Sequence, residues 1–127
     1  MQEKHLFEYA VIRVVPRVER EEFVNAGVIL YCSSQRFLKV LYRVDEKKIK
    51  ALGGETDIAE IGCYLKALES ICIGGKSGGT IGALPVASRF RWLTATRSSV
   101  VQASKVHPGF CVDPDKTLTR LFEDLVL

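Results

Sequence analysis

Three apolar runs, rich in β-branched and aromatic residues, lie close together near the start of the chain and constrain its fold most strongly. They cover residues 6–15, 23–32 and 37–44, and Pro16 ends the first of them. Only residues 33–36 separate the second run from the third, which is the length of a short hairpin connection. The sequence therefore predicts an antiparallel meander of three strands.

Aspartates mark the starts of the predicted helices. Asp45 can cap a short helix, and Asp57 has capping-box spacing to Glu60 at the head of a longer one. Apolar residues then recur at three- and four-residue steps, which is typical of an amphipathic helix. Asp113 followed by Pro114 combines a cap with a proline at the first helical position and predicts a C-terminal helix.

The remaining segments carry weaker signals. Residues 74–82 are rich in glycine and predict a flexible loop, residues 88–93 fit a short helix or an irregular segment, and residues 99–103 predict a further strand. With 127 residues, 47% of them hydrophobic, the chain has the size and composition of one globular domain. We predict a single α+β domain over residues 1–127. Its mostly antiparallel sheet has about four strands, with helices packed on one face, including the C-terminal helix.

Positive charge is unevenly distributed along the chain. Residues 70–112 contain five of the 18 Lys and Arg residues but no Asp or Glu. A stretch without acidic residues can concentrate a positive field toward an anionic partner. The alternative is that these cations pair with carboxylates from elsewhere in the fold, such as Glu21 or Glu22.

The run from residue 85 to residue 102 contains the strongest candidates for a binding surface. Its arginines can hold phosphate or carboxylate as bidentate forks, its hydroxyls can complete an anion site, and its tryptophan can stack on an arginine or a base. In the second strand, Asn25 either shapes a bulge with Gly27 or presents a polar group to a ligand. The candidate ligand-binding residues are Arg13, Asn25, Arg89, Arg91, Trp92, Arg97 and Ser98. The alternative is that Phe90, Trp92 and Leu93 fill the core while the arginines form internal ion pairs.

Motifs for catalysis and metal binding do not emerge from the sequence. Residues 75–77 read Gly-Lys-Ser, but Ser70 occupies the position where a P-loop needs its upstream glycine. The four cysteines form no C-x-x-C pair, which favours buried structural thiols, and neither His5 nor His107 is placed beside a nucleophile by any pattern. We predict no catalytic residue, no metal and no cofactor. The lack of a signal peptide or a membrane-length apolar run favours a cytoplasmic protein that does not contact membranes.

Several of these runs together resemble a known family. They are residues 9–16 (YAVIRVVP), residues 22–27, residues 89–98 (RFRWLTATRS), residues 106–109 (VHPG) and Asp113 with Pro114. In order and spacing they resemble the bacterial family called domain of unknown function 3037 over nearly the whole chain. The resemblance implies a small accessory or binding protein whose relatives lie beside genes for toxin–antitoxin-type kinases. It transfers no catalytic residue and gives residues 74–82 no role.

We therefore expect a non-enzymatic binding or accessory module that recognises an anionic group through an arginine-rich patch. The expected partner is a neighbouring kinase-like protein with an acidic surface, or a phosphate-containing ligand. One alternative is an enzyme acting on a phosphate-containing substrate, which a cleft holding a carboxylate or His107 beside the arginines would favour. Another is a weak nucleic-acid-binding protein, for which the net charge of +3 is small.

Overall fold

The computed structural model describes residues 3–127, and its centre is an antiparallel sheet. The five strands are β1 (His5–Val14), β2 (Val24–Cys32), β3 (Phe37–Tyr42), β4 (Val101–Ala103) and β5 (His107–Cys111). They run in the order β3-β2-β1-β4, and β5 pairs with the other half of the β1 edge that β4 occupies. The predicted meander is confirmed, and each of its strands ends within two residues of the predicted bounds.

Three of the helices in residues 3–127 begin where the aspartate caps predict. The helices are α1 (Glu46–Ala51), α2 (Ile58–Ile73), α3 (Gly79–Gly82), α4 (Val86–Leu93) and α5 (Pro114–Leu125). The carboxylates of Asp45, Asp57 and Asp113 accept hydrogen bonds from backbone N–H groups in the first turns of α1, α2 and α5. Among residues 3–127, no helix combines the length and the apolar character that a bilayer crossing requires.

The sheet is covered on both faces. Ala10 and Ile12 of β1 belong to a core cluster with residues of α1, α2 and α4, including the fully buried Leu65. Phe7, on the opposite face of the same strand, packs in a second cluster with Leu118 of α5. The predicted α+β class and C-terminal helix are confirmed, but the helices occupy both faces of the sheet and not one. Strands buried on both sides read as continuous apolar runs, which is the pattern that β1 and β2 show.

Gly27 lies at a bulge where β1 and β2 change register. Ile12 pairs with Gly27 and the next residue, Arg13, pairs with Asn25, so β2 contains one extra residue. A Cβ atom on Gly27 would lie 2.7 Å from the Leu41 carbonyl oxygen of β3. The bulge predicted from Asn25 and Gly27 is confirmed.

The glycine-rich segment, residues 74–82, packs back on the end of α2. It forms a 3-10 turn followed by the single helical turn α3. A Cβ atom on Gly78 would lie 3.0 Å from the Ser70 carbonyl oxygen, and one on Gly82 would lie 2.8 Å from the Gly75 carbonyl oxygen. Close backbone approach therefore explains these glycines, while the mobility of the segment stays a prediction.

Candidate functional site

Arg91, Trp92 and Arg97 lie on and just beyond the exposed side of α4. The buried side of this helix presents Phe90 and Leu93 to the sheet, so Arg91 and Trp92 point to solvent. The guanidinium carbon of Arg97 lies 4.5 Å from the centre of the Trp92 ring, within the range of a cation–π contact. We call the residues on and after this helix that face outward the α4 surface; it consists of the exposed Arg91, Trp92 and Ser98 and the half-buried Arg97.

Arg97 also closes the C-terminal end of α4. Its Nη2 donates to the Trp92 carbonyl oxygen at 2.6 Å, and its Nη1 donates to the Leu93 carbonyl oxygen at 3.4 Å. Carbonyls at a helix end lack intrahelical donors, and a cation there is electrostatically favourable. Among residues 3–127, no carboxylate lies within ion-pair distance of Arg97. Because guanidinium has five N–H groups, Arg97 keeps donors for an external anion.

Arg91 reaches across to β1 and forms an ion pair with Glu8. Its Nη2 lies 3.0 Å from Glu8 Oε2, and its Nη1 lies 3.3 Å from Glu8 Oε1. The Arg91 side chain is 58% exposed. Glu8 is half-buried, with 27% of its side chain exposed, and both of its carboxylate oxygens bind Arg91, so this pair is stronger than an ordinary surface ion pair. Glu22, one of the two carboxylates that sequence analysis offers as alternatives, pairs with Arg20 instead.

Arg89 belongs to the interior and not to the α4 surface. Only 9% of it is exposed, and its Nη1 donates to the carbonyl oxygens of Ile71 and Cys72 at 2.9 and 2.8 Å. Its Nε donates to the Leu84 carbonyl oxygen at 3.0 Å. A Cβ atom on Gly74 would lie 2.7 Å from Arg89 Nη1. Arg89 therefore fastens the end of α2 to α4 and leaves room only for glycine at position 74.

Arg13 and Asn25 lie on the α5 side of the sheet, away from α4. They are register partners across β1 and β2. The Arg13 guanidinium carbon lies 4.1 Å from the centre of the Phe23 ring, and Asn25 Nδ2 donates to the Leu125 carbonyl oxygen of α5 at 3.0 Å. Arg13 Nε and Asn25 Oδ1 are buried without a protein hydrogen-bond partner in the described structure. Arg13 and Asn25 therefore form a second polar site that is separate from the α4 surface.

The seven predicted binding residues are thus not brought together in one patch. Four form the α4 surface, Arg13 and Asn25 lie on the opposite face of the sheet, and Arg89 is internal. Alternation along β1 places Arg13 on the α5 face, and helical periodicity places Arg89 on the same side of α4 as Phe90. The separation is a consequence of those two periods.

A cleft that holds a carboxylate or His107 beside the arginines would favour an enzyme. Glu8, the carboxylate that pairs with Arg91, is half-buried, and the His107 ring lies on the other face of the sheet, 5.3 Å from the Tyr9 ring. Residues 3–127 contain no group of three or more His, Cys, Asp or Glu side chains that could hold a metal ion. Burial raises the pKa of the Cys72 thiol to about 12, so it is not a nucleophile near neutral pH. Cys63, expected to be buried, is exposed on α2.

Sequence analysis missed a cavity of about 360 Å³ between the head of α2 and the segment before β4. The Asp57–Glu60 spacing predicts a helix cap and not a cavity, and the order of the chain does not reveal that residues 99–101 face it. We call it the acidic cavity, and it is lined by Pro16, Glu55, Thr56, Asp57, Glu60, Ile61, Tyr64, Ser99, Val100 and Val101.

Fold and surface together define a three-layer α+β domain with an exposed arginine–tryptophan surface on one outer helix. The chain belongs to the family described as protein of unknown function (DUF3037), which matches residues 9–126. This match confirms the resemblance found in the sequence. No curated protein and no solved structure matches the chain.

Proposed function

We propose that the protein is a non-catalytic binding module that holds an acidic segment of a partner protein on the α4 surface. The observation that carries this proposal is the exposed Trp92, 40% accessible, with the guanidinium of Arg97 over its ring. Tryptophan and arginine are enriched among the residues that dominate protein–protein binding energy. A preorganised pair of this kind loses little side-chain freedom on binding.

The charge balance around α4 favours an anionic partner. In residues 3–127 Arg97 has no carboxylate partner, and the guanidinium side chain of Arg91 stays 58% exposed while it pairs with Glu8. An incoming carboxylate can accept from the free donors of Arg97 and compete with Glu8 for Arg91. Trp92 adds apolar contact area, which favours an acidic peptide segment over a bare phosphate ion.

The partner class follows from the family resemblance. A kinase-like protein encoded nearby is the first partner to test, in the cytoplasm that the sequence favours. An enzyme acting on a phosphate-containing substrate, or a nucleic-acid-binding protein, would instead use the arginines to hold phosphate.

Binding to the purified kinase-like protein, measured by titration calorimetry, tests the proposal. Trp92→Ala and Arg97→Ala are each expected to weaken binding by about tenfold or more, because they remove central contacts. Arg91→Ala should weaken binding by less. In the wild type, Arg91 has to give up its contact with Glu8 when it binds the partner, and this cost offsets part of its contribution to the binding free energy. The matched control is Arg120→Ala on α5, an exposed arginine on the other side of the sheet, which should change the affinity less than twofold.

Two outcomes would overturn the proposal. One is wild-type affinity in folded Trp92→Ala and Arg97→Ala variants, with folding checked by circular dichroism. The other is full competition by millimolar inorganic phosphate but not by a glutamate-rich peptide, which would assign the surface to phosphate.

A further inference from the structure

The acidic cavity is a separate feature from the α4 surface and has the size of a small-molecule site. Its volume of about 360 Å³ lies within the range of ligand pockets in proteins. Its walls include the apolar side chains of Pro16, Ile61 and Val101, and the ring of Tyr64, which is 39% exposed. An apolar hollow with an accessible aromatic face suits an organic ligand better than a hydrated ion.

The residues that line the acidic cavity carry charge of one sign. Glu55, Asp57 and Glu60 contribute to its lining, and no Lys, Arg or His does. None of the three carboxylates has a basic group within ion-pair distance in residues 3–127. Arg17, which packs against Gly54 beside this cavity, is paired with Glu19 at 3.0 Å.

The helix geometry leaves most of this negative charge available. One oxygen of Asp57 accepts the N–H of Glu60, so Asp57 offsets the positive end of the α2 dipole. The side chains of Glu55 and Glu60 form no hydrogen bond within the described chain, and both residues are exposed. Two carboxylates therefore remain to attract a cation to an apolar hollow.

From this combination we propose that the acidic cavity binds a small organic ammonium ion with an apolar body. The apolar part enters between Pro16, Ile61 and Val101, and the ammonium group lies at the rim near Glu55 and Glu60. Tyr64 contributes its ring face to the cation or to the apolar body. This site does not depend on the proposed function of the α4 surface.

Three probes that share one aromatic body test the charge requirement. Tryptamine carries an ammonium group, tryptophol has a neutral hydroxyl in its place, and indole-3-propionate has a carboxylate. We expect the affinities to fall in that order, and we expect tryptamine to shift the backbone amide NMR signals of residues 55–64 and 99–101. Raising the salt concentration should weaken tryptamine binding and leave tryptophol binding nearly unchanged.

Single substitutions test which carboxylates cause the preference for tryptamine. Glu55→Gln and Glu60→Gln preserve size and remove one charge each, and each should weaken tryptamine binding by about two- to fivefold, as expected for exposed ion pairs. Glu123→Gln on α5 is the matched control and should have no effect, because it lies on the other side of the sheet.

The double variant with Glu55→Gln and Glu60→Gln should bind tryptamine and tryptophol about equally. Equal binding of all three probes to the wild type would overturn the proposal, and so would no binding of any probe. A tryptamine preference that persists in the double variant would place the ligand elsewhere and would overturn it as well.

Discussion

At the scale of single residues, the environment of Arg89 explains how α4 is joined to the end of α2. Arg89 is a nearly buried cation whose described hydrogen bonds go to backbone carbonyls at the end of α2 and before α4. The last carbonyls of a helix have no donors of their own, so the guanidinium satisfies groups that would otherwise be buried and unpaired. A residue that looks like a ligand-binding arginine in the sequence is therefore a structural connector.

Replacing Arg89 should destabilise the fold without removing any residue of the α4 surface. Arg89→Met keeps much of the volume but leaves the carbonyl oxygens of Ile71, Cys72 and Leu84 without these donors. We expect the free energy of unfolding to fall by about 1–3 kcal/mol, measured by urea denaturation. Arg120→Met, at an exposed position, should stay within about 0.5 kcal/mol of the wild type. If both variants unfold at the wild-type midpoint, Arg89 is not a structural connector.

The environment of Arg89 could have been inferred in part from the sequence. Val86, Phe90 and Leu93 recur at helical spacing, and Arg89 falls on the same side of the helix as they do. What the sequence cannot supply is its partners, because the carbonyls it binds lie in a different helix and become neighbours only through folding. The same limit applies to Arg97, because the sequence does not distinguish an arginine that stacks on a tryptophan ring from one that is available to bind an anion.

At the scale of elements, the other strands and the capped helices can be predicted from local sequence patterns, whereas β5 cannot. Pro108 and Gly109 interrupt the β5 sequence, and both residues are rare in strand interiors. They are tolerated because β5 is an edge strand that pairs with β1 on one side. A Cβ atom on Gly109 would lie 2.6 Å from the Phe7 ring, so the glycine makes room for that ring.

Two glycines of the same chain should respond in opposite ways to alanine. Gly109→Ala forces the Phe7 ring to move and should lower the free energy of unfolding by about 1–3 kcal/mol. Gly62→Ala lies in the interior of α2, where an added Cβ has no neighbour within 4 Å. It should raise the free energy of unfolding by about 0.5–1 kcal/mol, because alanine favours the helix. Thermal unfolding followed by circular dichroism measures both, and a stabilised Gly109→Ala variant would contradict the packing of Phe7.

At the scale of the whole molecule, the sheet separates two hydrophobic cores. The core on the α5 face is as fully shielded from solvent as the core on the α2 face. Leu118 on α5 and Leu65 on α2 are both completely inaccessible to solvent. The sequence predicts both helices but not that they cover opposite faces, because the helical patterns do not say which side of a sheet each helix takes. The continuous apolar character of β1 and β2 is the signal that both sides are buried.

Leucine truncation on each side compares the two cores directly. Leu118→Ala and Leu65→Ala should each lower the free energy of unfolding by about 2–5 kcal/mol, because both leave a cavity in a closed core. Chemical denaturation of the two variants gives the comparison. A loss below about 1 kcal/mol for Leu118→Ala alone would mean that α5 is only loosely docked and that the α5 face is not a second core.

The way Arg89 is held also bears on how the protein tolerates acid. A buried cation that depends on a carboxylate loses its counter-ion once that carboxylate takes up a proton, and this is a common route to acid unfolding. Amide oxygens hold Arg89, and they stay unprotonated at about pH 3, where carboxyl groups are largely neutral. Strongly acidic solution should therefore leave intact the hydrogen bonds by which Arg89 joins the end of α2 to α4.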